Sequence, residues 1–224
     1  MDQLVQIASM SRPPEFDRSA ALEAAMLLFW ERGYGATSLQ DLLAAMAISR
    51  SSFYAAFGDK RSLYREVLSL FAERNREILT RLVADEEPLQ AVTRFFQYTL
   101  FDVPERRLRR GCLLVKTVLE LAGRDSELNA LAAAGLDDIE RAFEDCFREA
   151  IDAGRLDIAQ DPQELARFIM TLNQGLRVAS RKNTSREALD GILATTLSLL
   201  PPAAHAAGNT KQTRNDNDLR RHAL

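Results

Sequence analysis

The chain has 224 residues, 46% of them apolar, a formal net charge of −3, two cysteines and two histidines. That length supports a helical core divided over two subdomains. Two cysteines are too few for a disulfide scaffold and no basic-then-apolar leader is visible, so a reducing cytoplasm is the expected compartment, and no apolar run approaches the ~20 residues that span a bilayer.

In chain order, residues 1–15 hold two prolines and little periodicity and are expected to form a flexible leader carrying Arg12. The first helix is predicted from an Asp17 cap to about Arg32, with Leu22, Ala25, Leu28 and Phe29 inward and Gly33 ending it. Trp30 and Tyr34 read as packing residues at its end. Thr37 with Gln40 reads as a capping box. The short helix it opens has Leu39, Leu42, Leu43 and Met46 on one side. Ser49 is suited to cap a second short helix, Arg50 to Ala56, with Phe53 and Phe57 inward and Arg50, Ser51, Ser52 and Tyr54 outward. Asp59 caps a long connecting helix through Leu63, Val67, Leu70 and Phe71 to near Val83. Two short helices, a tight connection and a third helix start form a helix-turn-helix.

The runs T-S-L-x-D-L from Thr37, I-S-R-S-S-F-Y-A-A-F from Ile48 and D-K-x-x-L-Y from Asp59 resemble the DNA-binding signature of TetR-type repressors. Ala47 stands where that family usually has Gly, and a left-handed residue there would cost about 1 kcal/mol. Leu43 stands where the family usually has a small residue. The resemblance implies an all-α chain: an N-terminal three-helix helix-turn-helix DNA-binding domain over 16–60, joined by a long helix to a helical ligand-binding and dimerisation domain over 61–200. It implies a homodimeric, ligand-responsive repressor on a palindromic double-stranded DNA operator. Arg50 is the expected reader of a guanine edge, through O6 and N7. Ser51 and Ser52 are expected at bases or phosphates, Thr37, Ser49, Tyr54 and Lys60 at phosphates, and Ser38 among the DNA-binding residues. The acidic balance predicts modest nonspecific affinity, and a module that no longer binds DNA is the corresponding alternative.

Asp85-Glu86-Glu87-Pro88 breaks the pattern, and a helix follows from Leu89 to Phe101 with Val92, Phe95, Phe96, Thr99 and Leu100 on its apolar face. After Pro104, the arginines 106, 107, 109 and 110 read as a solvated turn, with entry of an anionic ligand as the lesser alternative. Gly111 to Ala122 is apolar almost all round, as a centrally buried helix would be. Cys112, Lys116 and Glu120 fall on one stripe of it. Either Cys112 is a small buried hydrophobe beside an exposed Lys116–Glu120 pair, or the ammonium favours its thiolate. The stretch G-C-L-x-V-x-T from Gly111 is similar to a subset of TetR-type regulators whose cysteine faces the pocket and senses oxidants or electrophiles.

A long helix is predicted over Glu127 to Ala153, loosened at Gly135, with Cys146 as a packing residue and no disulfide to Cys112. Asp161-Pro162 opens a helix to about Arg181, and Ser185 opens the last, ending at Leu200-Pro201. By the resemblance these two form half of a four-helix dimer interface through Leu165, Phe168 and Leu172 on one and Leu189, Ile192, Leu193, Thr196 and Leu197 on the other. A small, largely apolar effector is expected among Phe96, Thr99, Cys112, Lys116, Phe143, Phe147, Met170, Asn173 and Arg177, releasing the operator through a coupling of about 1–3 kcal/mol. Residues 201–224 lack periodicity and are expected to be a disordered tail holding both histidines, His205 and His222. No cofactor or metal is expected. A helical enzyme would have only Cys112 with Lys116 to work with, and no base or phosphate loop.

Overall fold

The described residues open on four helices, each starting at an Asp or Ser whose side chain accepts a backbone N–H. In the computed structural model, which describes residues 16–156 and 161–199, these are α1 (Arg18–Arg32, capped by Asp17), α2 (Leu39–Met46, capped by Ser38), α3 (Arg50–Phe57, capped by Ser49) and α4 (Lys60–Asp85, capped by Asp59). The expected leader and tail, with Arg12, both histidines and Leu200, lie outside the described residues.

The capping box sits one residue later than predicted. Ser38 Oγ accepts from the Asp41 N–H at 3.1 Å while Asp41 accepts from the Ser38 N–H at 3.0 Å. Arg32 at 2.9 Å adds to the depression of the Asp41 carboxyl, which is caused first by Ser38. Thr37 is instead fully buried and donates to the Gly33 carbonyl at 2.6 Å, satisfying a group left over at the end of α1. Ala47 ends α2 at φ 53°, ψ 39°, the left-handed conformation the turn requires. Phe29, Leu42, Phe53, Leu63 and Tyr64 close the core beneath these helices.

The second half comprises α5 (Pro88–Phe96), which runs into a π-helical turn (Gln97–Phe101), then α6 (Glu105–Leu108), α7 (Leu113–Leu121), α8 (Ser126–Asp152), α9 (Pro162–Arg181) and α10 (Arg186–Ser198). The axis of this half is α8, packed against α4, α7 and α9. Gly135 does not loosen it. A Cβ there would lie 3.0 Å from that of Ala72 and 3.3 Å from Leu114, so the glycine lets three helices meet.

The expected effector space is filled. Phe96, Phe143 and Phe147 are fully buried, with Phe143 edge-on to Phe95 at 5.2 Å. Arg177, also buried, donates to the Thr99 carbonyl and hydroxyl at 2.9 and 2.8 Å and to Asn173 at 3.2 Å, beside Met170. A residual void of about 10 Å³ beside Thr99 and Arg177 barely admits one water. These residues hold the core together through a polar knot.

Two further expectations change for the same reason, that periodicity marks apolar and charged positions without saying which neighbour covers them. Arg109 donates to the Ser180 and Thr184 carbonyls at 2.6 and 3.2 Å, and Arg110 is buried against Glu31 at 3.1 Å, so these two arginines are built into the fold rather than solvated, while Arg106 is exposed. Leu165, Leu189, Leu193 and Thr196 are buried within the single chain, and Leu172 and Leu197 are half-buried against its core. Among the described residues of α9, α10 and the residue that follows it, the exposed large apolar side chains are Phe168, Val178, Ile192 and Leu199.

Candidate nucleic-acid interface and the helix that holds it

The N-terminus of α3 is exposed and its free N–H groups are only partly used. Ser49 Oγ accepts from the Ser52 N–H at 3.1 Å and lies 2.9 Å from both the Ser51 and Ser52 hydroxyls. Arg50, Ser51 and Tyr54 point outward, while Phe53 and Phe57 anchor the opposite face. Tyr54 stands edge-on to Phe53 at 5.5 Å, which limits its swing. Such an element offers one guanidinium, several hydroxyls and a helix start to an anionic duplex.

The remaining predicted contacts scatter. Ser38 is exposed at the start of α2, and Ser52 is half-buried. Thr37 is turned inward, as described. The Lys60 ammonium lies 4.3 Å from the centroid of the Tyr34 ring, and burial lowers its pKa against the opposing pull of Glu120. Sequence reasoning missed Arg18, which sits over the Phe57 ring at 4.7 Å and bonds Glu66 at 2.7 Å, fixing the back of α3.

What orients this unit is α7. Glu120 accepts from the Tyr34 N–H at 3.0 Å and the Gly35 N–H at 2.6 Å. One turn earlier, Lys116 donates to the carbonyls of Trp30 and of Glu31, the latter at 3.1 Å. Lys116 and Glu120 are therefore not an exposed pair with each other; each completes the end of α1, where N–H and C=O groups would otherwise lack partners. A Cβ at Gly33 or Gly35 would come within 2.6 or 2.9 Å of the Glu120 carboxylate, so this approach needs both glycines. Thr117 adds a 2.6 Å hydrogen bond to the Tyr64 hydroxyl, Trp30 donates to the Gly111 carbonyl at 3.0 Å, and Arg61 on α4 bonds Asp125 at 2.8 Å. The i, i+4 spacing of Lys116 and Glu120 was visible in the sequence. Their targets, main-chain atoms about 85 positions away, carry no side-chain signal.

Beside this contact lies a cleft of about 390 Å³ between α7, α9 and the end of α1. Cys112, Val115, Leu119 and Val178 supply its apolar wall, and Arg32, Lys116, Glu120, Arg177 and Arg181 its charges. Cys112, Lys116 and Arg177 are thus the predicted effector residues that reach an open space. Cys146 is buried elsewhere, its thiol pushed up to about 12 by burial. Among the described residues no helix is long and apolar enough to cross a membrane, and no group of three His, Cys, Asp or Glu could hold a metal.

Comparison with known proteins gives a consistent picture. Residues 21–67 match the model of bacterial regulatory proteins of the tetR family, and residues 88–220 match the tetracyclin repressor-like C-terminal domain. The chain is 31% identical over 197 residues to the HTH-type transcriptional repressor ComR of Escherichia coli K12, spanning 86% of this chain and 93% of that one. It is 26% identical over 202 residues to the repressor DhaR of Mycobacterium sp. strain GP1, spanning 89% and 99%. Among solved structures, a cysteine-substituted variant of the TetR family regulator CifR, complexed with 26-bp operator DNA, superposes with a TM-score of 0.69 at 32% identity, covering 85% of this chain and 100% of that one. Reduced NemR of Escherichia coli shares the fold, with a TM-score of 0.73 at 20% identity over 84% of this chain and 98% of that one.

Proposed function

The chain belongs to the TetR family of bacterial transcriptional regulators and is not an enzyme, and from that premise we propose a homodimeric cytoplasmic repressor that binds a palindromic operator and is released by a small molecule. The DNA-binding unit is 16–60 and the ligand-binding and dimerisation unit 61–200. The observation that carries the DNA-binding reading is the exposed start of α3, with Arg50, Ser51 and Tyr54 outward on a helix held from behind by Phe53 and Phe57. The operator complex of CifR, at 32% identity, supports it.

In this reading two α3 helices enter successive major grooves about 34–36 Å apart. Arg50 donates to guanine O6 and N7, and Ser51 reaches a base or phosphate. Ser38, Ser49, Tyr54 and the helix N-termini meet phosphates. Thr37 has no part in it, and Lys60 takes part only by leaving the Tyr34 ring. The second copy covers Phe168, Ile192 and Leu199.

The test is footprinting upstream of the chain's own gene and a genome-wide binding selection, each with a salt titration. A two-fold symmetric, salt-dependent footprint is expected, and its absence from both would refute the reading. Arg50→Ala should cost about 1–3 kcal/mol at the specific site and little elsewhere. Phe168→Glu with Ile192→Glu should yield a monomer by analytical ultracentrifugation and lose the symmetric footprint; a dimer that persists would show that another face is used.

A further inference from the structure

The charges around the cleft between α7 and α9 do not balance. Arg32 is paired with Asp41, Arg177 is spent on Thr99 and Asn173, and the Glu120 carboxylate is filled by two backbone N–H groups. That leaves Lys116 and Arg181. Among the described residues Lys116 donates to the Trp30 and Glu31 carbonyls and Arg181 to the Arg110 carbonyl at 3.2 Å, so both cations meet neutral acceptors. They also repel each other. Burial first, and Arg181 next, push the Lys116 ammonium down to about 8 against the weaker opposing pull of Glu120 and Glu31. A negative charge between them would reverse that penalty, and a buried-edge cation with no carboxylate in direct contact gains more from such an anion than a solvated one does.

The rest of the cleft is apolar and open. Leu119 is 72% exposed and Val178 47%, unusual for large aliphatic side chains on opposing helices, and Val115 with the Cys112 sulfur floors the space between them. At about 390 Å³ the cleft falls within the range of sites that enclose small molecules.

We propose that this cleft binds an organic anion with an apolar body, its acidic head between Lys116 and Arg181 and its body against Leu119 and Val178. The proposal names the effector class of the ligand-responsive reading above and rests on that reading only for its consequence at the operator. The consequence follows from position: an ammonium drawn toward the acidic head withdraws from the end of α1, which it otherwise completes. The ligand thereby favours an arrangement in which the end of α1 keeps Glu120 and the Trp30–Gly111 hydrogen bond but loses Lys116, as a switch requires.

The experiment uses the full chain and 8-anilinonaphthalene-1-sulfonate, followed by fluorescence, with the uncharged N-phenyl-1-naphthylamine as the matched body lacking the head. Saturable binding of the sulfonate at one site per chain is expected. Leu119→Glu should weaken it about tenfold, whereas Leu119→Lys should leave it as tight or tighter; position 119 is exposed, so both variants keep the fold. Arg181→Gln should weaken the sulfonate about tenfold and leave the neutral compound unchanged. Absence of saturable binding, or equal affinity in Leu119→Glu, Leu119→Lys and wild type, overturns the proposal. The readout contains no DNA. Loss of the site with an intact operator footprint therefore removes this proposal alone, and a bound probe without any footprint removes the repressor reading alone.

Discussion

At the scale of single residues, the decisive contact is that of Glu120 with the main chain at Tyr34 and Gly35. Glu120→Ala leaves two N–H groups facing an emptied site and should cost about 1–2 kcal/mol in urea unfolding. Gly35→Ala brings a Cβ to within 2.9 Å of a carboxylate oxygen, the mobile end of a side chain, so the oxygen can move aside but only by giving up those hydrogen bonds. Gly35→Ala should therefore destabilise the wild type by no more than Glu120→Ala does, and should be close to neutral when combined with it; additive losses would show that the glycine matters for another reason. The stripe Cys112, Lys116, Glu120 was legible in the sequence because helical spacing is fixed. Whether it met solvent, a ligand or backbone was not, since backbone atoms look alike at every position.

Elements were legible where local chemistry decides them. The Asp17, Ser49, Asp59, Asp161 and Ser185 caps and the ends at Gly33 and Arg181 follow from side chains acting on their own neighbours. The Thr37 frame failed by one residue because Thr37 and Ser38 offer the same hydroxyl, and only the buried Gly33 carbonyl separates them. Ala47 holds φ 53° with a Cβ that glycine would lack, so Ala47→Gly should raise stability by up to about 1 kcal/mol without altering operator affinity. Asp125 caps α8 and binds Arg61 of α4; that guanidinium first, and the Leu128 N–H next, hold its carboxyl down to about 2. With the folded pKa below the ordinary 3.8, the stabilisation is complete above that value and is lost as pH falls toward about 2. Melting curves of wild type should accordingly fall more steeply across that window than those of Asp125→Asn; parallel curves would mean the bridge contributes nothing.

Over the whole molecule, the division into a motif-bearing end and a helical bundle was readable, and the interior of the bundle was not. Phe96, Phe143 and Phe147 have the same pattern whether they line a cavity or fill one; with α8 packed against α4, α7 and α9, these three are fully buried. Leu189 and Leu193 likewise share a face with the apolar positions a partner could cover, yet α10 spends them on its own chain. Phe168 and Ile192 stay exposed. An open cleft lies instead at the seam between the halves, along the stripe of Cys112, Lys116 and Glu120.

Among the described residues, the hydrogen-bond partners of Lys116 and Glu120 are main-chain atoms, the carbonyls of Trp30 and Glu31 and the amides of Tyr34 and Gly35. A grip of this kind keeps no record of which side chains it holds, provided the two glycines stay. The reading head is thereby interchangeable: a foreign α2–α3 segment grafted between Gly35 and Asp59 would be gripped by α7 as the present one is.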